Sequence, residues 1–266
     1  MGGVVSEHSF RLCPSCGADC GRKLARYSPE DWEVVACTNC GFVYLQNPPP
    51  YEALVNDFAW EKTHAVRSER RKSLRLSRLN RSLRKTLGLQ RRHPPKKFLR
   101  VFEHGRVLDI GCGAGDRIRA PLVPYGIEIS ESLHATADAN MRSQGGYCLH
   151  GAGAERIRDF DTGFFDGILM HSYLEHEVAM LEVLRECHRV LKPLGKIFVR
   201  VPNFGSINRR IAGADWCGFR YPDHVNYFTP GSLRSIAAKV GFDTKLVNPA
   251  TLPINDNVQA LLTKFD

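Results

Sequence analysis

The sequence predicts an α/β fold: a doubly wound, mostly parallel seven-stranded sheet, preceded by a small cysteine-clamped module. Three observations carry this. From residue 106 onward, short apolar strands alternate with helical segments, the pattern of a parallel sheet with crossover helices. The strand at 106–110 runs into a glycine-dense turn, Gly111, Gly113 and Gly115, where backbone can approach a ligand more closely than any side chain would allow. Two Cys-x-x-Cys pairs, Cys13 with Cys16 and Cys37 with Cys40, fall within the first 40 residues.

The cysteine pairs come first in the chain. Each places two thiolates on one tight turn followed by glycine, and four such thiolates satisfy tetrahedral Zn²⁺ in a closed structural site. Disulfides are disfavoured because no secretion signal precedes them, and a redox pair would open a helix beside a strand. Cys20 stands nearby as a spare that could replace Cys16, although the paired spacing argues against it. The expected organisation is a zinc ribbon with its extended, proline-rich exit over 1–50, a basic helical connector over 51–100, and an α/β domain over 101–266.

The connector concentrates the charge. The whole chain carries a formal +9, but residues 67–100 alone hold 14 Lys and Arg against one acid, Glu69, leaving the remainder mildly acidic. Leu76, Leu79, Leu83 and Leu87 recur at helical spacing with arginines opposite. Such a helix either docks by its leucines and leaves a solvated basic face, or offers that face to an anionic lipid, a phosphorylated glycan carrier or nucleic acid. The segment lacks the interleaved aromatics of a stacking platform, which weakens the RNA reading. No run approaches the ~18 apolar residues needed to span a bilayer, so a cytoplasmic or membrane-peripheral protein is expected.

In the α/β domain a second strand, 124–129, carries Glu128 near its end, where an acid can accept hydrogen bonds from ribose hydroxyls. Asp109 before the turn would sit badly beside a pyrophosphate and suits a cationic or neutral ligand. The run Leu108-Asp-Ile-Gly-Cys-Gly-Ala-Gly115 resembles the first motif of class I S-adenosylmethionine-dependent methyltransferases, and the resemblance extends over 106–242. It implies a Rossmann-like methyltransferase fold. It also implies that Asp109, Gly111, Cys112, Gly113, Gly115, Glu128, Ile129, Ala154 and His171 lie along S-adenosylmethionine. A zinc ribbon with such an exit is further similar to bacterial methyltransferases of sugar and polysaccharide biosynthesis.

The remaining elements follow in order. Residues 131–140 read as a helix capped by Ser130, and 147–150 as a third strand leading to a loop, 151–155, that the resemblance places against adenine. Residues 164–170 form the fourth strand, ending at His171 and the run Ser-Tyr-Leu-Glu175-His176. A helix follows with Met180, Leu184, Cys187 and Leu191 on one face, then a fifth strand at 196–201. A long insertion, 203–228, precedes a helix with Thr229 as cap, Pro230 at its first position and Gly241 past its end. Thr244 to Val247 suggests a sixth strand, and 257–265 is a seventh strand or a short helix. Gly111 and Glu128 are only 17 positions apart, so the helix after the glycine turn should be stubby, about 114–120, and the cofactor pocket could be impaired.

Methyl transfer from a sulfonium is an in-line displacement, and a hydroxyl acceptor needs a base within hydrogen-bond reach. Glu175, His176 and His224 are the catalytic candidates, the histidines because they titrate near neutral pH. Aromatics mixed with Asp, Asn and His in the insertion suit a lid over a polar acceptor. The expected activity is methylation of a small molecule, a glycan or a lipid-linked sugar. The alternatives are a ribosomal-RNA methyltransferase and a non-catalytic methyltransferase-like binding protein.

Overall fold

In the computed structural model the described residues are 10–29, 31–50, 101–247 and 249–265. The basic connector and its anionic partners therefore lie outside the described residues.

Two short, largely buried apolar strands and an exposed edge strand begin the N-terminal sheet. Strands β1 (Gly21–Lys23), β2 (Val34–Cys37) and β3 (Val43–Leu45) form an antiparallel meander. Val34, Val35, Tyr44 and Leu45 are buried, and Phe42 packs edge-on against Phe228. The two cysteine knuckles flank this meander, one before β1 and one between β2 and β3.

The large sheet is built from runs that are apolar on both faces, as burial under helices on both sides demands. Its strands are β4 (Gly105–Ile110), β5 (Leu122–Glu128), β6 (Cys148–His150), β7 (Phe165–His171) and β8 (Leu191–Pro202). After β9 (Asn226–Tyr227), which belongs elsewhere, come β10 (Phe242–Leu246) and β11 (Asn257–Lys264). The order is β10-β11-β8-β7-β4-β5-β6, with β4, β5, β6, β7 and β8 parallel and β11 antiparallel to both its neighbours. Residues 257–264 thus resolve as a strand, wedged between β10 and β8.

Helices cross over between the strands. In α1 (Glu131–Arg142) the Ser130 hydroxyl accepts from Leu133 N–H, a side-chain N-cap. A single short turn, α2 (Gly153–Arg156), occupies the loop after β6. The stripe of α3 (Met180–Val190) is buried at Met180, Val183, Leu184, Cys187 and Val190, and Leu191 already begins β8. After α4 (Ile207–Ala212), helix α5 (Pro230–Ala238) starts at a capping box between Thr229 and Ser232.

Two expectations are corrected. No helix follows the glycine turn: residues 111–121 are turns and bends, and β5 starts at Leu122. Eleven residues must close the crossover, and Pro121 cannot donate within a helix. The turn is held instead by Gly111 and Cys112 N–H groups, both on Ile127 O, at 2.9 and 3.2 Å. The segment 203–228 is likewise not a plain loop. It contains α4, a 3₁₀ turn at Gly213–Asp215, and β9.

Strand β9 pairs with β3, Val43 opposite Tyr227 and Tyr44 opposite Asn226, so it completes the N-terminal sheet. The ribbon expected over 1–50 is therefore finished by a strand from the α/β half. Arg11 ties the seam, its Nε donating to Leu45 O and its Nη2 to Val225 O and to Asn226 Oδ1.

Candidate active site

A cavity of about 830 Å³ opens at the carboxyl edge of the parallel strands, where ligands of doubly wound sheets bind. Gly111, Cys112, Gly113, Glu128, Ile129 and Gly151 line one end. His171, Ser172 and Tyr173 lie along the middle, and Glu175, His176, Arg220 and His224 line the other end. Its size falls within the range of cofactor pockets, roughly 300–1,000 Å³, so the absent crossover helix has not closed it.

Glycines shape the first end. Gly111, Gly113 and Gly115 all have φ between 60° and 72°, the left-handed region. A Cβ on Gly115 would lie 2.9 Å from Ala137 Cα of α1, whereas one on Gly113 would have only Arg117 Nη2 near, at 4.0 Å. Gly113 thus keeps the cavity open, while Gly115 lets turn and helix pack. A left-handed L-residue costs roughly 1–2 kcal/mol and overpacking about 1–3 kcal/mol more. Gly115→Ala is accordingly expected to lower thermal stability clearly more than Gly113→Ala; equal melting temperatures would contradict this packing role.

At the strand tip, Glu128 Oε2 accepts from Gly113 N–H (2.7 Å) and Oε1 from Ser130 N–H (2.9 Å). The carboxylate is thereby fixed at the cavity wall. Asp109 is buried beneath the turn and does not line the cavity. Its Oδ2 accepts from Arg117 Nη1 (3.0 Å), and the same guanidinium reaches Gly111 O (3.1 Å). Burial raises the Asp109 carboxyl to about 6 despite that partner, and Oδ1 has no hydrogen-bond partner among the described residues. Arg117, unremarked in the sequence, thus lines the cavity here together with Asp116 and Glu128. Cys112 lines it too, but its thiol turns away to Cys148, 3.5 Å distant. Gly115 and Ala154 lie outside the lining; Gly151 and Gly153 border it in Ala154's stead.

His171 ends β7 inside the cavity. Burial, with Arg200 and Arg117 nearby, pushes its pKa down to about 4, so it is a neutral imidazole. Ser172 follows in the left-handed region at φ 61°, and its hydroxyl accepts from Arg200 Nη1. That turn opens the chain toward Glu175 and His176.

Glu175, His176 and His224 converge at the far end, their ligand atoms all within 4.8 Å of one another. The insertion delivers His224, and backbone bonds hold it there. Val225 and Asn226 N–H groups both donate to Glu175 O, and Asn226 Nδ2 donates to Leu174 O and Glu177 O. His176 Nδ1 lies 2.8 Å from Asp223 Oδ1, and His224 Nδ1 lies 2.8 Å from Gly218 O. Each Nδ1 therefore carries the proton it donates, and in the neutral ring Nε2 is the nitrogen that keeps the lone pair. Burial lowers His176's pKa, but the hydrogen bond and charge of Asp223 outweigh it and hold the group above its ordinary value. Asp223 falls to about 2, its burial being outweighed by His176. Burial, with His176 and Arg220 alongside, drives His224 well below the usual range. Burial raises Glu175. Arg200 and Arg220 were not singled out from the sequence; each stands alone in its local pattern and only the fold brings them to the cavity.

The four cysteines Cys13, Cys16, Cys37 and Cys40 also gather, with all Sγ atoms within 4.8 Å. Cys13–Cys40 and Cys16–Cys37 are each separated by 3.6 Å. A tetrahedron with Zn–S bonds of about 2.3 Å has edges of about 3.8 Å, so the donor set fits a structural zinc. Cys20 Sγ lies 3.7 Å from Cys37 Sγ but outside the four-thiol group.

Known proteins resemble this chain in sequence or in fold. The methyltransferase domain family matches residues 75–246. A ubiquinone biosynthesis O-methyltransferase of Methylococcus capsulatus is 29% identical over 154 residues, 52% of this chain and 63% of that protein. One from Caulobacter vibrioides is 36% identical over 110 residues, 38% of this chain and 42% of that protein. The chain thus spans less than two thirds of the length of these relatives. A SAM-dependent methyltransferase from Thermotoga maritima superposes with a TM-score of 0.51 at 20% identity, over 70% of this chain and 96% of its own. A methyltransferase solved with the Haloferax volcanii Trm112 activator gives 0.53 at 16% identity, over 70% of this chain and 95% of that one. These two share the fold, and the match over 75–246 decides the family. This chain belongs to the methyltransferase-domain family, on the fold of S-adenosylmethionine-dependent methyltransferases.

Proposed function

We propose that this protein transfers a methyl group from S-adenosylmethionine to a hydroxyl oxygen of a small polar acceptor. The observation that carries the reading is that one cavity is lined both by the glycine turn and Glu128 and by Glu175, His176 and His224. The O-methyltransferase names of the two curated relatives support oxygen as the acceptor atom.

When bound, S-adenosylmethionine supplies a methyl group on a positively charged sulfur. The residues present suit it. Glu128 stands where ribose hydroxyls would be held, and Arg117 offers a cation to a carboxylate at the glycine turn. Transfer would form the oxygen–carbon bond as the carbon–sulfur bond breaks, and the acceptor hydroxyl would have to lose its proton. It would pass into the Glu175–His176–His224 group, whose nearest donor atoms lie within 4.8 Å of one another and where Glu175 Oε2 has no hydrogen-bond partner among the described residues. Alignment of the acceptor with the methyl group supplies much of the acceleration. A structural zinc on Cys13, Cys16, Cys37 and Cys40 would hold the ribbon closed.

The test is transfer of labelled methyl from S-adenosylmethionine to a panel of phenols, sugar nucleotides, lipid-linked sugars and RNA. Label in a phenol or sugar hydroxyl is expected. Label confined to RNA would overturn the small-acceptor reading, and failure to bind S-adenosylmethionine at all would overturn the activity.

A further inference from the structure

We propose that Glu175, His176 and His224 form a binding site for one divalent transition-metal ion at the acceptor end of the cavity. An ion held there would take up the lone pairs that otherwise accept the acceptor's proton. It would instead lower the pKa of that hydroxyl, whose proton would leave to water. This role rests on the methyltransferase reading above, but the binding does not.

Four features of the cluster point to a cation. Both imidazoles have Nδ1 committed to an oxygen, Asp223 Oδ1 for His176 and Gly218 O for His224, so in the neutral rings Nε2 is the nitrogen open to a cation. Metal-ligating histidines are held this way, with the second ring nitrogen donating to a carboxylate or a carbonyl. Glu175 is 1% exposed, yet its Oε2 has no hydrogen-bond partner among the described residues. A buried carboxylate oxygen left without a partner is costly, and a cation would remove that cost. The ligand atoms lie within 4.8 Å of one another, so a modest contraction encloses an ion. Finally, all three residues line the cavity, so ligand positions beyond the three protein donors would face the incoming acceptor.

The donor chemistry narrows the ion. Two imidazoles and one carboxylate with open positions form the ligand set of catalytic transition-metal sites, unlike the closed four-thiolate cluster of the ribbon. Magnesium and calcium prefer all-oxygen surroundings and fit poorly. The surrounding charge is balanced rather than strongly negative. Arg220 is ion-paired with Asp223, and Arg200 and Arg220 both act on Glu175. Selection therefore comes from lone-pair direction rather than from a negative field, and the affinity should be moderate.

The site is distinguishable from the ribbon because Mn²⁺ competes poorly for thiolates. Full-length protein, treated with a mild chelator and shown to keep its ribbon zinc, is titrated with Mn²⁺ by electron paramagnetic resonance and with Zn²⁺ by calorimetry. One additional ion per chain is expected. Glu175→Gln and His224→Gln should abolish that binding, and Asp223→Asn should weaken it by about 10–100-fold. S-adenosylmethionine binding, measured on the same variants, reports that each is folded. Absence of an additional Mn²⁺ or Zn²⁺ ion in the unaltered protein overturns the proposal, as does undiminished binding by folded His224→Gln. If the ion binds but S-adenosylmethionine does not, the methyltransferase reading fails and the metal site stands.

Discussion

Replacing His176 with alanine is expected to lower kcat by about 10²–10⁴-fold, while the dissociation constant for S-adenosylmethionine stays nearly unchanged. A rate loss of that size is about 3–5 kcal/mol of transition-state stabilisation. The separation of effects follows from position. His176 lines the end of the cavity opposite Gly113 and Glu128, and its contacts are to Asp223 and the ring of His224, not to the glycine turn. Asp223→Asn should act in the same direction and more weakly, because it spoils the orientation of the imidazole without removing it. Steady-state kinetics and calorimetric titration of S-adenosylmethionine on the same preparations decide the matter. A parallel fall in turnover and cofactor affinity would mean that the insertion supports the whole cavity rather than its acceptor end.

The second large effect begins at the ribbon. Cys37→Ser is expected to release zinc, lower the melting temperature and reduce kcat at least tenfold, again with S-adenosylmethionine affinity retained. Zinc binding in small structural sites is worth about 10–16 kcal/mol, comparable with the entire net stability of a domain, about 5–15 kcal/mol. Without it the β1–β3 meander has too little core of its own to persist. Strand β9 then loses its partner β3, and Arg11 loses its hold on Val225 and Asn226. Those two residues directly follow His224, so the histidine is no longer held beside Glu175. The glycine turn rests instead on β5 and α1, which pair with no ribbon strand. Zinc release followed by colorimetric assay, with kcat measured alongside, tests the chain of effects. Unaltered turnover in zinc-free protein would break it.

Local signals carried most of the architecture. The apolar runs, the Thr229–Pro230 cap and the glycine turn each act within a few residues, and each appears where its pattern places it. The exceptions depend on distant partners. The absence of a helix after Gly115 reflects the short connection to β5 and the way Gly115 abuts Ala137, neither of which periodicity registers. Asn226-Tyr227 is too short to announce a strand, and only the exposed edge of β3, some 180 residues away in the chain, makes it one. Glu175, His176 and His224 stand out in the sequence because they fall after a strand end and in an unusually long insertion, and the fold brings the three together. Arg117, Arg200 and Arg220 do not stand out, since an isolated arginine is uninformative until the fold shows what it faces.

The β3–β9 pairing also sets an order of assembly. During synthesis the cysteine knuckles emerge first and can gather metal early, but the edge of β3 stays uncovered until residue 227 has left the ribosome. An uncovered edge strand is a template for wrong pairing, and the long intervening chain slows the correct closure. By the time β9 docks, β4, β5, β6, β7 and β8 have all been made. The last event of ribbon folding is therefore the event that seats His224, so a chain arrested short of β9 carries all four clustered cysteines but no His224 beside Glu175.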